Sequence, residues 1–205
     1  MRLLAFSDLH CDLTAASDLV ERSRDPKVDG VVGAGDFASV HSGLERTIEA
    51  LSAIEKPAIL VPGNNETEQA LRDACAGWGA ATVLHGQPTR LPVGDGEEVE
   101  LFGLGAGIPV TPWDWSFDLD EEQAAARLAA CPEDAVLVVH SPPLGHCDLS
   151  GAGEHLGSGA ILAAIERKRP RVAVCGHIHE SWGAESAIGA TEVFNLGPTG
   201  RVIEV

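Results

Sequence analysis

Five short apolar runs of this sequence each end in residues able to bind a cation. LLAF (3–6) runs into Ser7-Asp8-Leu9-His10-Cys11-Asp12, VVGA (31–34) into Gly35-Asp36, and AILVP (58–62) into Gly63-Asn64-Asn65-Glu66. VLVV (136–139) is followed by His140-Ser141-Pro142-Pro143, and VAVC (172–175) by Gly176-His177-Ile178-His179. Carboxylate, imidazole and amide oxygen suit first-row divalent ions, and the absence of paired thiolates argues against a structural zinc. In Asp8-Leu9-His10 and His177-Ile178-His179 the two donors lie two residues apart, a spacing that turns both side chains to one side of an extended segment. Any one of these turns is ordinary, because Gly, Pro and Asn punctuate chains everywhere and an isolated histidine is more often a surface or core residue than a ligand. The repetition at five strand ends is what carries information.

Such donors act together only if the fold gathers them. Strand-length runs alternate with amphipathic helical segments: LLAF before 14–24, 30–35 before 44–54, and 58–61 before 66–78. This alternation predicts βαβ units and a largely parallel central sheet, whose carboxyl strand ends are where ligand sites form. Residues 82–105 read as β-rich, with VGDGEE (93–98) as a hairpin tip. A helix over 119–131, a strand over 135–140, a Gly-rich loop, a helix over 159–169 and a strand over 172–175 follow, and SAIGATEVFNL and RVIEV close the chain as antiparallel strands. There is no repeat and no linker, so residues 1–205 are expected to form a single domain.

The ordered set Asp8-x-His10, Gly35-Asp36, Gly63-Asn64-x-Glu66, His140 and Gly176-His177-x-His179 resembles the calcineurin-like metallophosphoesterases, and it spans nearly the whole chain. The resemblance implies an α/β fold, a four-layer αββα sandwich of two mixed β-sheets flanked by helices, with two divalent metal ions (Mn, Fe, Zn, Ni or Co) at the strand ends. It assigns Asp8, His10 and His179 to one metal, Asn64, His140 and His177 to the other, and Asp36 to the bridge between them. It further implies in-line attack on phosphorus by a hydroxide held between the metals, with Asp36, Asn65 and His140 as the residues of catalysis.

One position departs from the family pattern. Where many members have histidine, thought to assist the leaving oxygen, this chain has Asn65. An amide donates hydrogen bonds but does not titrate, so the acid is lost and the expected bias is toward phosphodiesters or activated esters. His41, His146 and His155 lie in loops and are candidate substitute acids. The leading reading is a phosphodiesterase acting on a small, nucleotide-like phosphoester. The rivals are a phosphomonoesterase or protein phosphatase, and a non-catalytic metal- or nucleotide-binding scaffold. Trp113 and Trp115 suit stacking on a base, although packing beneath a loop is the commoner role for tryptophan. Asp12 reads as a helix cap, Glu66 as support for its turn, and His85 has no motif around it.

The bulk numbers fit this reading. With 14 Lys plus Arg against 31 Asp plus Glu the net charge is −17, which repels long nucleic acids and anionic membrane surfaces but not a small ester held by cations. The cysteines (11, 75, 131, 147 and 175) are odd in number and widely spaced, as in a reducing compartment. MRLLAFSD enters a strand directly, without a signal-peptide pattern, and no run reaches the ~20 apolar residues of a membrane helix, so a soluble cytoplasmic protein is expected. Oligomeric state is not legible.

Overall fold

The computed structural model describes residues 1–93 and 97–205. Its first half runs β1 (Arg2–Phe6), α1 (Leu13–Ser23), β2 (Gly30–Gly33), α2 (Leu44–Leu51), β3 (Ala58–Leu60), α3 (Glu68–Cys75) and β4 (Ala81–Val83). The antiparallel pair β5 (Gln87–Val93) and β6 (Glu97–Leu104) follows, then α4 (Glu121–Leu128), β7 (Val136–Val139), α5 (Gly159–Lys168) and β8 (Val172–Cys175). A 3-10 turn at His179–Ser181, β9 (Glu185–Ile188), β10 (Thr191–Asn195) and β11 (Arg201–Glu204) complete it. Of the expected VGDGEE tip, residues 94–96 lie outside the described residues; Val93 stands opposite Glu97 across the pair.

The strands form two mixed sheets, ordered β11-β1-β2-β3-β4 and β5-β6-β7-β8-β10-β9. Strand–helix alternation led to one largely parallel sheet, whereas the parallel strands divide between two, β1 to β4 and β6-β7-β8-β10. Antiparallel strands close three of their four edges, β11 on β1, β5 on β6 and β9 on β10, while β4 lies parallel to β3 at the fourth. β1, β2, β3, β7 and β8 are buried almost throughout on both faces, so each reads as a continuous apolar run. In β1, Leu3 and Ala5 enter the layer between the sheets while Leu4 and Phe6 pack toward α1, α2 and α3. In β7, Val136 and Val138 face the other sheet while Leu137 and Val139 meet α4 and α5. Three apolar layers thus separate four layers of structure.

Local signals fix the helix ends. Asp12 accepts from the N–H groups of Thr14 and Ala15 at 2.9 and 3.0 Å, a cap as expected, and Asp120 with Gln123 forms a capping box. α3 starts at Glu68 rather than 66, because Thr67 caps it and the Glu66 side chain is spent on other backbone groups. SAIGATEVFNL is two strands about a Gly189-Ala190 turn; β10 lies parallel to β8, and RVIEV crosses to pair with β1. Strand periodicity carries no information on which sheet a terminal strand joins.

Candidate metal centre

The carboxyl ends of β1, β2 and β3 in one sheet and of β7 and β8 in the other open onto one place. The chain leaves these strands sharply: Asp8, His10, Asp36 and His177 have φ of 54°, 43°, 58° and 69°. The two-apart spacing of Asp8 and His10 therefore converges through left-handed turns and not through the pleat of an extended segment, since the strand ends at Phe6. Backbone approaches so closely here that only glycine fits: a Cβ at Gly63 would overlap the Asp36 carboxylate, and one at Gly176 would overlap that of Asp8.

Two donor groups result. Asp8, His10 and His179 form one, and Asp36, His140 and His177 the other, with the donor atoms of each group within 4.8 Å of one another. Asn64 joins the second, its Oδ1 lying 3.1 Å from both His140 Nε2 and His177 Nδ1. Asp36 reaches both groups: Oδ2 is 3.5 Å from His10 Nε2, and Oδ1 is 3.5 Å from His140 Nε2. His140 Nδ1 donates to Ala34 O at 2.8 Å, which leaves Nε2 with its lone pair toward the group. All seven residues singled out in the sequence are brought together.

The electrostatics fit divalent cations. Burial is the main cause that pushes His177 well below, and His10 below, the usual imidazole range, which favours the neutral form that ligates. Burial first, then the neighbouring Asp8, pushes Asp36 well above the carboxylate range, and among the described residues no lysine or arginine pairs with Asp8 or Asp36. His10 Nε2 and His179 Nε2 stand only 3.1 Å apart, an approach favoured by a proton or cation shared between them. Unpaired buried carboxylates beside neutral imidazoles are a donor set that a cation completes.

Residues around the donors hold them. Glu66 accepts from the N–H groups of Asp36, Gly63 and Ala38 at 2.9, 2.7 and 2.9 Å, clamping the β2 and β3 turns; burial, then Asp36, raises its pKa to about 7. Asn65 is also buried: Nδ2 donates to Asp36 Oδ2 at 2.7 Å and Oδ1 accepts from Val40 N–H at 2.8 Å. Sequence reading missed Trp182, whose Nε1 donates to Asp8 Oδ2 at 3.1 Å, Ser7, whose hydroxyl bonds the same oxygen, and Asn195. The Asn195 amide donates to Cys147, Gly176 and Ile178 carbonyls, so it ties down the turn that presents His177 and His179. Only its place in an ordinary FNLG run signals it. Asn195→Ala is expected to lower unfolding free energy by about 2 kcal/mol in urea titrations and to weaken cation binding; an unchanged midpoint would remove this role.

The other histidines are engaged elsewhere. His41 bonds Trp115 O, His146 bonds Ser186 Oγ and His155 bonds Asp148. His85 is buried against Phe117, with Nδ1 accepting from Gly105 N–H, and burial, followed by the Arg127 charge, pushes its pKa down to about 4. The unfolded chain therefore takes up this proton first, so stability present above pH 6.5 is lost as pH falls toward 4. Between pH 7.5 and 5 the wild type is expected to lose about 2 kcal/mol more than His85→Gln, an acceptor that does not titrate. Parallel urea curves at the two pH values check it.

A cavity of about 490 Å³ takes in donors of both groups and extends along Val110, Trp113, Trp115 and Leu156. No helix among the described residues is long and apolar enough to cross a membrane. The family described as calcineurin-like phosphoesterase matches residues 1–181. A UPF0046 protein of Caenorhabditis elegans is 36% identical over 105 residues, a match covering 47% of this chain and 26% of that protein. Metallophosphoesterase domain-containing protein 1 of Homo sapiens is 36% identical over 95 residues, covering 43% and 29%. The matches thus span under a third of these relatives' own length. Among solved structures, a protein of Thermus thermophilus superposes with TM-score 0.74 at 17% identity over 97% of this chain and 90% of that one. An archaeal phosphodiesterase gives 0.56 at 17% over 96% and 84%, and a dimetal phosphatase from Danio rerio gives 0.63 at 12% over 97% and 88%. At these identities the likeness is one of fold.

Proposed function

The chain belongs to the calcineurin-like phosphoesterase family, and on that premise we propose that it is a binuclear metal-dependent phosphodiesterase acting on a small, nucleotide-like ester. The observation that carries the proposal is the Asp36 carboxylate, within 3.5 Å of a histidine nitrogen from each donor group. Asp8, His10 and His179 would hold one cation, Asn64, His140 and His177 the other, and Asp36 would touch both. When bound, two divalent cations supply a deprotonated water near neutral pH and neutralise charge on the phosphoryl oxygens.

The chain's own residues position and select. Asn65 uses one amide hydrogen on Asp36, and its second is left to donate to a phosphoryl oxygen, since Asn65 lines the cavity. His140 is fixed from behind by Ala34 O and Asp8 by Ser7, Trp182 and the His177 N–H, so the donors are set before a ligand arrives. Residues 1–205 would act as one domain, because β11 completes the sheet that β1 begins. Calorimetric titration of metal-stripped protein with Mn²⁺ is expected to give two ions per chain, with hydrolysis of bis-p-nitrophenyl phosphate rising in step. Two ions bound without turnover would favour the binding scaffold, and turnover in chelator would refute metal dependence.

A further inference from the structure

The cavity has a second half unlike the donor half. Its wall there is Pro109, Val110, Pro112, Trp113, Trp115 and Leu156, and among the described residues no lysine or arginine lines any part of it. Trp113 and Trp115 stack with centroids 5.6 Å apart and planes 15° from parallel, and Trp113 remains 51% exposed. Among the described residues, every exposed large hydrophobic side chain except Val202 lies on a loop that follows β2, β6, β7 or β8, and of these Val110, Trp113 and Leu156 line this cavity. In a chain of net charge −17, exposed apolar side chains gathered along one cavity wall mark a contact surface rather than a solubility pattern.

Charge decides what that surface takes. An ester arm carrying a further phosphate needs a cationic partner to hold it, by preference arginine. Beyond the donors the only ionisable group among the described residues lining this cavity is the carboxylate of Glu180. We propose that the site takes phosphodiesters with one phosphate whose second arm is an uncharged, flat apolar group lying along Trp113, and that it rejects arms bearing additional negative charge; this rests on the hydrolase reading above. The volume accommodates a phosphate and an aromatic group together. A nucleoside arm meets the description only when it carries no further phosphate.

The test is calorimetric binding of phenylphosphonate, methylphosphonate and 4-sulfophenylphosphonate to Mn²⁺-loaded wild type, Trp113→Phe and Trp113→Ala, beside hydrolysis of bis-p-nitrophenyl phosphate. Phenylphosphonate is expected to bind roughly tenfold tighter than methylphosphonate, with the sulfonate abolishing the gain. Trp113→Ala should collapse the phenyl-to-methyl ratio and Trp113→Phe should restore most of it. Equal binding of phenyl and methyl ligands, a tighter sulfonate, or an unchanged ratio in Trp113→Ala overturns the proposal while diester hydrolysis leaves the enzyme reading standing. No binding by any ligand together with no hydrolysis removes both.

Discussion

Asp36→Ala is expected to lower bis-p-nitrophenyl phosphate hydrolysis at least ~10³-fold and to reduce Mn²⁺ binding below two ions per chain. The size follows from what two cations contribute, several kcal/mol of charge stabilisation, at 1.36 kcal/mol for each factor of ten. Among the described residues no other carboxylate pairs with a histidine of each donor group: Asp36 reaches His10 with one oxygen and His140 with the other, and both oxygens accept from Asn65. Removing it leaves the donor groups without shared negative charge. Asp36→Asn separates that charge from side-chain shape. In metal-stripped protein the carboxylate is a liability, because burial and Asp8 oppose its ionisation, so Asp36→Asn should unfold at the same or higher urea concentration than wild type. With Mn²⁺ present the order should reverse, since only wild type gains from binding both ions. A variant that keeps two ions and wild-type turnover would end the bridging role.

Much of this centre was legible because its chemistry is local in sequence. Strands buried on both faces read as apolar runs, and each donor follows such a run within a few residues, so order alone placed Asp8, His10, Asp36, Asn64, His140, His177 and His179 at one edge. What lay hidden is long-range. Asn195 serves carbonyls up to 48 residues away, and Trp182 reaches Asp8 across 174. No window of sequence carries such pairings. The division of the parallel strands into two sheets was expected from the family resemblance but not from strand–helix alternation, since a βαβ unit fixes handedness and direction but not the sheet in which the next strand settles. The turns were legible as turns, but their left-handed φ at Asp8, His10 and Asp36 was not, because aspartate and histidine, though enriched in that region, adopt it at only a minority of positions.

The second large effect concerns Asn65. Cleaving an alkyl monoester expels a poor leaving oxygen that needs a proton, whereas p-nitrophenolate leaves without one, and a positioned acid is worth about 10²–10⁴-fold. Asn65 cannot supply that proton. Nor do the other loop histidines stand ready, with His41 bonded to the Trp115 carbonyl, His146 to Ser186 and His155 to Asp148. The wild type is therefore expected to hydrolyse bis-p-nitrophenyl phosphate at least ~10²-fold faster than glycerol phosphate, with p-nitrophenyl phosphate between them. Asn65→His should raise glycerol phosphate turnover about tenfold or more and add a pH dependence near the histidine range, with the gain present while the imidazole is protonated and lost above its pKa. The diester rate should not share the gain, because its leaving group needs no proton and because histidine forfeits one of the two bonds Asn65 makes, to Asp36 or to Val40 N–H. Should glycerol phosphate prove the better substrate of the wild type, an acid lies elsewhere in the site, and the diesterase assignment falls with it.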